Sequence, residues 1–321
     1  MRFLFGPVPS RRLGLSLGVD LVPGKTCTYD CVYCQLGRTT RQMTRRASYV
    51  SIGEVTAELR IALKEVQADY ITLSGSGEPT LCSHLDELIA AIKDLTDLPV
   101  AVLTNGSLLS RPAVRRELAQ ANLVIPSLDA GSPEAFAAIN RPAAGLHLEM
   151  VLAGIREFAA GFAGRIWLEV MLVAGMNDNE RELGLIAAAA REIRAERIQL
   201  NTVERPPAEP YARALTLAEL EKARQFFDER AEIIAGKAVL RAANDGSLPK
   251  AAHAAVLALL RRRPCTVDDV ATGLGLPPNL VVKLLGDLLA SGEVLAWRPA
   301  NGDKTYYRLL KSPHTLQNRV M

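Results

Sequence analysis

Between Ser16 and Thr202 short apolar runs alternate with longer amphipathic ones. Ser16–Leu21, Tyr70–Ser74, Val100–Thr104, Leu123–Ser127, Ile166–Val173 and Arg197–Thr202 are short, apolar and mostly β-branched, as parallel strands covered on both faces are. Ile52–Val66, His84–Asp94 and Asn179–Ile193 repeat apolar residues every three or four positions and predict helices. Caps mark other helix starts. Ser132-Pro133-Glu134 places a capping hydroxyl before a proline at the first helical position, and Thr216-Leu217-Ala218-Glu219 is a capping box. About six βα units in this order predict a parallel sheet with right-handed crossovers over residues 1–235, either an open wound sheet or a barrel. Functional side chains then collect at the carboxyl ends of the strands.

The pattern changes after Asn244-Asp245-Gly246-Ser247-Leu248-Pro249, a turn-rich stretch that closes a linker at 236–249. Lys250–Arg262, Thr266–Gly273 and Pro277–Ser291 read as helices, the last ended by Gly292. Glu293–Arg298 and Lys304–Leu309 alternate as strands around Asn301-Gly302. Three helices and a hairpin are the order of a winged helix-turn-helix, here residues 250–312, with 313–321 as a tail. Its last helix offers only Asn279, Lys283 and Asp287 as polar contacts, few for a reader of base edges. Arg298, Lys304, Tyr306 and Arg308 equip the wing for backbone contact, although winged helices also dock proteins and peptides.

Composition narrows the class. With 321 residues, 49% hydrophobic and 23% charged, the chain reads as a globular protein able to bury a core. The net charge of +3 is uneven: residues 250–321 hold ten Lys/Arg against five Asp/Glu, and the rest 28 against 30. That balance permits a nucleic-acid contact without demanding one. Met1–Pro7 carries no secretion signal, and nothing approaches the roughly 18 apolar residues of a membrane helix. A cytoplasmic protein without a membrane partner is expected.

Three of the five cysteines fall within eight residues, Cys27-x3-Cys31-x2-Cys34, which points to metal or redox chemistry rather than a disulfide framework. Short loop spacings let several thiolates reach one iron–sulfur cluster. Three ligands leave one iron open to a small molecule, by the logic that keeps catalytic zinc sites three-coordinate. A zinc site completed by a distant residue, or three metal-free thiols, also satisfies the spacing. Cys82 and Cys265 read as small core residues.

This spacing, with the aromatic Tyr33 before the last cysteine, resembles the hallmark of the radical S-adenosylmethionine (SAM) superfamily. The resemblance covers about residues 1–235. It implies a partial (βα)6 TIM-like barrel and one 4Fe–4S cluster on Cys27, Cys31 and Cys34, with SAM chelating the fourth iron. Reductive cleavage of SAM, fed by a donor such as a flavodoxin or ferredoxin, would then yield a 5′-deoxyadenosyl radical that abstracts hydrogen from a substrate. Ser74-Gly75-Ser76-Gly77-Glu78-Pro79 looks like the superfamily's GGEP motif in variant form. Its glycines allow close backbone approach, and Glu78 is the implied acceptor for the methionine ammonium; in isolation the run is also an ordinary turn. Tyr33, Gly75, Gly77, Glu78, Pro79, Asn105, Ser127, Asp129, Glu169, Met171 and Asn201 are the implied cofactor contacts. For Asn105 a turn, and for Glu169, Met171 and Asn201 a paired structural role, fit as well.

Phe5–Gly14, Asp20–Lys25, Ile139–Pro142 and Gln199–Thr202 further resemble a subgroup related to the tRNA wyosine-base synthases. Those enzymes carry an additional upstream set of cysteines, and none precedes Cys27, so their activity does not transfer. An RNA or nucleotide substrate follows from this kinship, with Arg11, Arg12, Lys25 and Arg141 as candidate substrate residues. Arg38, Arg41, Arg45 and Arg46 extend the basic flank, which suits an anionic ligand or a solvated face equally. A peptide, protein or small metabolite docked by the winged helix is the second reading. An iron–sulfur DNA-binding redox regulator is the third, and the Glu78 loop argues against it, since a sensor needs no ammonium acceptor.

Overall fold

The computed structural model describes residues 2–235, 252–299 and 304–310. An antiparallel hairpin of β1 (Leu4–Ser10) and β2 (Gly14–Asp20) opens the chain. In the long loop that follows, β3 (Thr26–Cys27) pairs with β4 (Arg41–Gln42). The body continues through α1 (Ile52–Glu65), β5 (Tyr70–Ser74), α2 (Leu85–Lys93), β6 (Val100–Thr104), α3 (Pro112–Leu118) and β7 (Leu123–Pro126). It is completed by α4 (Pro133–Ile139), α5 (Leu148–Gly161), β8 (Arg165–Leu172), α6 (Glu180–Glu192), β9 (Arg197–Thr202), α7 (Leu217–Arg224) and β10 (Ala231–Ile233). The sheet runs β1-β2-β5-β6-β7-β8-β9-β10 and is parallel except for β1.

The six predicted strands lie within one or two residues of the observed ones. The two edges are additions. Pro7 and Pro9 disguise β1, because proline is at home in a strand only where a ladder bond is dispensable, as at an edge. β10 has three residues, too few to show alternation. Both predicted caps form: Ser132 accepts from Ala135 N ahead of α4, and Thr216 and Glu219 close the capping box of α7.

A side-chain period of two divides the strands between two faces. Outward residues such as Leu73, Val102, Val124, Leu168 and Leu200 are buried beneath the helices in the main core. α2 answers with Leu85, Leu88, Ile89 and Ile92, a single stripe in which every residue is buried, each contributing roughly 1.5–3 kcal/mol. Inward residues form a small apolar cluster around Leu13, Ala101, Leu123, Ile125 and Trp167. Phe5 reaches across Gly18, where a Cβ would stand 2.1 Å from the ring. Other inward positions are polar, among them Ser16, Asp20, Thr72, Gln199 and Asn201, all buried. A buried polar face has to be hydrogen-bonded or serve a ligand.

α8 (Ala252–Arg262), α9 (Val267–Leu274), α10 (Pro278–Ala290) and the antiparallel pair β11 (Val294–Trp297) and β12 (Tyr306–Leu309) follow. They share a second core of residues such as Leu259, Val270, Val281, Leu285 and Leu288, against which Val8 of β1 packs. α8 and α9 lie along β1, covering an edge that would otherwise invite pairing. Arg205, in the loop after β9, meets Asp269 at 3.0 Å, and the Tyr306 hydroxyl donates to the Glu204 carbonyl at 2.7 Å. This second unit therefore touches both the β1 edge and the loop after β9. The expected linker at 236–249, the Asn301-Gly302 turn and the tail lie outside the described residues. Among the described residues no helix is long and apolar enough to cross a membrane.

Candidate active site

The loop that leaves β2 carries the three clustered cysteines and is held from several sides. Val32 N donates to the Ile139 carbonyl at 2.9 Å, and Asp30 N to the Asn140 carbonyl at 3.0 Å. Arg141, with a left-handed φ of 45°, donates through Nε to the Asp30 carbonyl at 2.5 Å. Its Nη2 lies 3.0 Å from Asp30 Oδ2, and its Nη1 2.7 Å from Glu209 Oε1. Arg141 and Arg38 together hold the Glu209 carboxyl below its usual range.

Cys27, Cys31 and Cys34 are half-buried as residues, and their thiols form no disulfide. Each receives one side-chain N–H. Asn105 Nδ2 lies 3.6 Å from Cys27 Sγ, Asn140 Nδ2 3.5 Å from Cys31 Sγ, and Lys25 Nζ 3.2 Å from Cys34 Sγ. Burial, reinforced by Glu78, pushes the Cys27 thiol up to about 12, and burial likewise raises Cys31. Without a metal such thiols stay protonated; a metal takes them as thiolates. Among the described residues no three His, Cys, Asp or Glu side chains converge as around a single ion. A multi-iron cluster spreads its thiolates over several metal atoms. Three free thiols on one loop, each with an N–H donor, fit that group.

The Glu78 loop is strapped to the same segment. Lys25 N donates to the Ser76 carbonyl at 2.8 Å, and Glu78 N to the Thr26 carbonyl at 3.1 Å. Gly77 allows this approach, since a Cβ there would lie 1.8 Å from the Thr26 oxygen. Gly75 (φ 127°) turns the chain beside Asp20, whose carboxylate accepts from Ser76 N at 3.0 Å and from the Ser76 hydroxyl at 2.5 Å. Pro79 begins a buried 3-10 turn. Glu78 is itself buried. Its Oε1 accepts from Thr80 N (3.0 Å), Thr80 Oγ1 (2.5 Å) and Thr104 Oγ1 (2.6 Å), and its Oε2 from Asn105 N (2.8 Å). Burial raises its pKa against these bonds. Three donors crowd Oε1 and one meets Oε2, so Oε2 is the oxygen with capacity for a further donor.

Asp129 lies beyond β7, buried. Its carboxylate accepts from the Tyr33 hydroxyl, from Asn140 Nδ2 at 2.8 Å and from Met171 N at 3.0 Å, and burial raises its pKa to about 6. The Met171 side chain packs with Val32 and Tyr33. Ser127 bridges to Glu169 across the sheet. Glu169 Oε2 pairs with Arg12 Nη1 at 2.9 Å, and its Oε1 accepts from Asn201 Nδ2 at 2.9 Å. Burial pushes the Glu169 pKa up, but Arg12 prevails and holds it low. Arg11 Nη1 lies 3.1 Å from Asn201 Oδ1 and 2.5 Å from Glu204 Oε1.

The sequence-predicted residues thus fall into two groups. Tyr33, Gly75, Gly77, Glu78, Pro79, Asn105, Asp129 and Met171 surround the cysteine loop. Ser127, Glu169, Asn201, Arg11 and Arg12 form a second network on the inner face, toward the loop after β9. Of the candidate substrate residues, Arg11, Arg12 and Arg141 are paired with carboxylates and Lys25 meets a thiol. Sequence reasoning passed over Asn140, which joins Cys31 to Asp129, although the run Ile139–Pro142 had drawn notice. It also passed over Thr80 and Asn177. Asn177, fully buried, donates to the Asp129 and Met171 carbonyls at 2.7 and 2.8 Å. Single hydroxyls and amides leave no pattern that marks them in advance.

Residues 21–184, about half of the chain, match the family described as the Radical SAM superfamily. A protein of Brachyspira hyodysenteriae named GTPase Obg is 40% identical over 292 residues, 91% of this chain but 43% of that protein. The chain therefore spans less than half the length of that relative. A UPF0026 protein of Methanocaldococcus jannaschii is 35% identical over 232 residues, 71% of this chain and 72% of its own. Among solved structures, a radical SAM methyltransferase from Sphaerobacter thermophilus superposes with a TM-score of 0.52 at 20% identity. That likeness covers 70% of this chain and 67% of the other, and shows a shared fold. The chain belongs to the radical SAM superfamily and, within it, to the UPF0026 proteins: it is an iron–sulfur enzyme whose cofactors are a 4Fe–4S cluster and SAM.

Proposed function

We propose that this enzyme holds a single cluster on Cys27, Cys31 and Cys34, cleaves SAM there, and acts on a protein or peptide segment docked by its C-terminal unit. When bound, the cluster and SAM supply a carbon-centred radical that takes hydrogen from the substrate. The observation that carries the reading is the meeting of three free thiols, each with its own N–H donor, with a buried carboxylate at the carboxyl ends of the strands. Glu78 Oε2 is suited to accept from the methionine ammonium, and Gly75, Gly77 and Pro79 shape the loop that presents it. Asn105 and Asp129 hold the walls around the cysteines, Tyr33 and Met171 exclude water from them, and Ser127, Glu169 and Asn201 line the approach for ribose and adenine. Cys82 and Cys265 sit in the two cores, consistent with one cluster.

The C-terminal unit, with three helices and an antiparallel pair, is read as a winged helix. Val282 and Leu289 on α10 are 56% and 37% exposed, and Leu295 on β11 is 41% exposed. Lys283 and Asp287 are the charges on that helix, so its outer surface is apolar and near neutral. A nucleic-acid reader brings several cations and amides instead. Arg298, Lys304 and Arg308 stand exposed on and beside the β11–β12 pair, and complement a substrate segment in which apolar side chains are flanked by acidic ones. The wyosine-related motifs favour RNA or a nucleotide as a second reading, but Arg11, Arg12 and Arg141, which that reading would use, are paired with carboxylates.

Anaerobic reconstitution with iron, sulfide, SAM and dithionite is expected to release 5′-deoxyadenosine; none from a protein with its full iron complement would end the cleavage reading. Peptides and nucleosides compared by mass spectrometry, from cells with and without the protein, separate the substrates. A modified peptide supports the docking reading, and a modified nucleoside with unchanged peptides replaces it with the RNA reading.

A further inference from the structure

Lys25 is unusual in three independent ways. Its φ of 58° places a non-glycine residue in the left-handed region, which is strained for a side chain with a Cβ, although Gly24 stands beside it. Its backbone is fixed: its N–H donates to Ser76 at 2.8 Å, and its carbonyl accepts from Thr40 N and Arg41 N, each at 3.1 Å. Finally, Arg11, Arg12, Arg38 and Arg141 are each paired with a carboxylate, whereas the Lys25 ammonium is aimed at a thiol sulfur, 3.2 Å from Cys34 Sγ. Strain maintained by surrounding contacts points to a function for the group it positions.

We propose that Lys25 sets the reduction potential of the cluster, as the charged member of a three-donor N–H shell completed by Asn105 on Cys27 and Asn140 on Cys31. This rests on the reading that the three cysteines hold the cluster. Hydrogen bonds to sulfur and nearby charge are established levers on iron–sulfur potentials. Reduction adds negative charge to the cluster and its thiolates. An ammonium against one sulfur stabilises the reduced form, and the two amides act in the same direction with less charge. The donors come from three places in the chain: the cysteine loop itself, the end of β6 and the end of α4. The potential is thereby tied to the fold that builds the cofactor site. Lys25 is a positioning residue in this scheme. It need touch neither SAM nor substrate.

The test is an anaerobic redox titration of the full-length reconstituted protein without SAM, followed by electron paramagnetic resonance, with iron counted per chain. Lys25→Met keeps the stem and removes the charge. At equal iron content and fixed potential, its ratio of reduced to oxidised cluster is expected to fall by roughly tenfold, about 59 mV for one electron. Lys25→Arg should stay near wild type, and Lys25→Gln, which keeps a donor but not the charge, should fall between. If Lys25→Met loses iron, Lys25→Gln against Lys25→Arg decides by the same ratio. Equal potentials at full iron content overturn the assignment. So does a loss of SAM affinity with no change of potential, which would put Lys25 on the cofactor instead. A wild-type protein that takes up no iron fails at the earlier step, the cysteine reading itself.

Discussion

Removing the guanidinium of Arg12 is expected to leave Glu169 charged and without its cation on the buried inner face of the sheet. The two side chains are 13% and 14% exposed and meet at 2.9 Å, and Asn201 Nδ2 also donates to Glu169. Breaking a pair of this burial by deleting one partner costs roughly 3–5 kcal/mol, which lowers the thermal midpoint by roughly 6–20 °C. The pH dependence carries the sharper test. In the wild type, Arg12 holds the Glu169 pKa below its ordinary value. Its stabilising contribution is therefore present above the unfolded pKa and is lost as pH falls through the folded one. In Arg12→Met burial is opposed only by the Asn201 hydrogen bond and the charge of Arg11, so the Glu169 pKa rises and the folded variant binds a proton more readily than the folded wild type. The deficit against wild type should shrink as pH falls from 7 toward 5. Adding Glu169→Gln should recover part of it at pH 7, because no charge is then stranded. Thermal or urea unfolding of the metal-free protein at both pH values measures this. A deficit under about 1 kcal/mol, or one that ignores pH and survives Glu169→Gln, would refute the reasoning.

Gly77→Ala should drive the Glu78 loop off Thr26, because the new Cβ would sit 1.8 Å from a backbone oxygen. A penalty of at least about 1–3 kcal/mol is expected, together with reduced iron uptake; wild-type iron and melting would show that the two loops are not packed as described. Cys27→Ala should lose iron after reconstitution while Cys82→Ala and Cys265→Ala keep it, and loss in either core variant would assign that cysteine to the metal. Thr266→Ala removes the α9 cap and frees Asp269, which faces Arg205. It should cost about 1 kcal/mol in thermal unfolding, and a Thr266→Ser variant equally damaged would mean that the hydroxyl is not the reason.

The primary sequence by itself determined the six parallel strands, helices α1, α2 and α6, both caps and the cysteine loop. Each of these rests on local information: a period of two or 3.6, a hydroxyl just before a proline or three residues before a carboxylate, or a spacing within one loop. It also placed Glu78 and Asp129 at strand ends, where a wound sheet gathers its chemistry. Partnership was decided only by the tertiary structure. Arg141 looked like a substrate contact and clamps Asp30 and Glu209. Arg12 and Glu169, 157 positions apart by their numbering, became a buried pair because the fold brings the turn after β1 against the inner face of β8. Lys25 was one cation in a basic flank until its backbone conformation and the 3.2 Å approach to Cys34 set it apart. Charge, burial and direction depend on which surfaces meet, and no local pattern encodes that for residues so distant in the chain. The chemistry of the site was written locally, and its electrostatics were fixed by the fold.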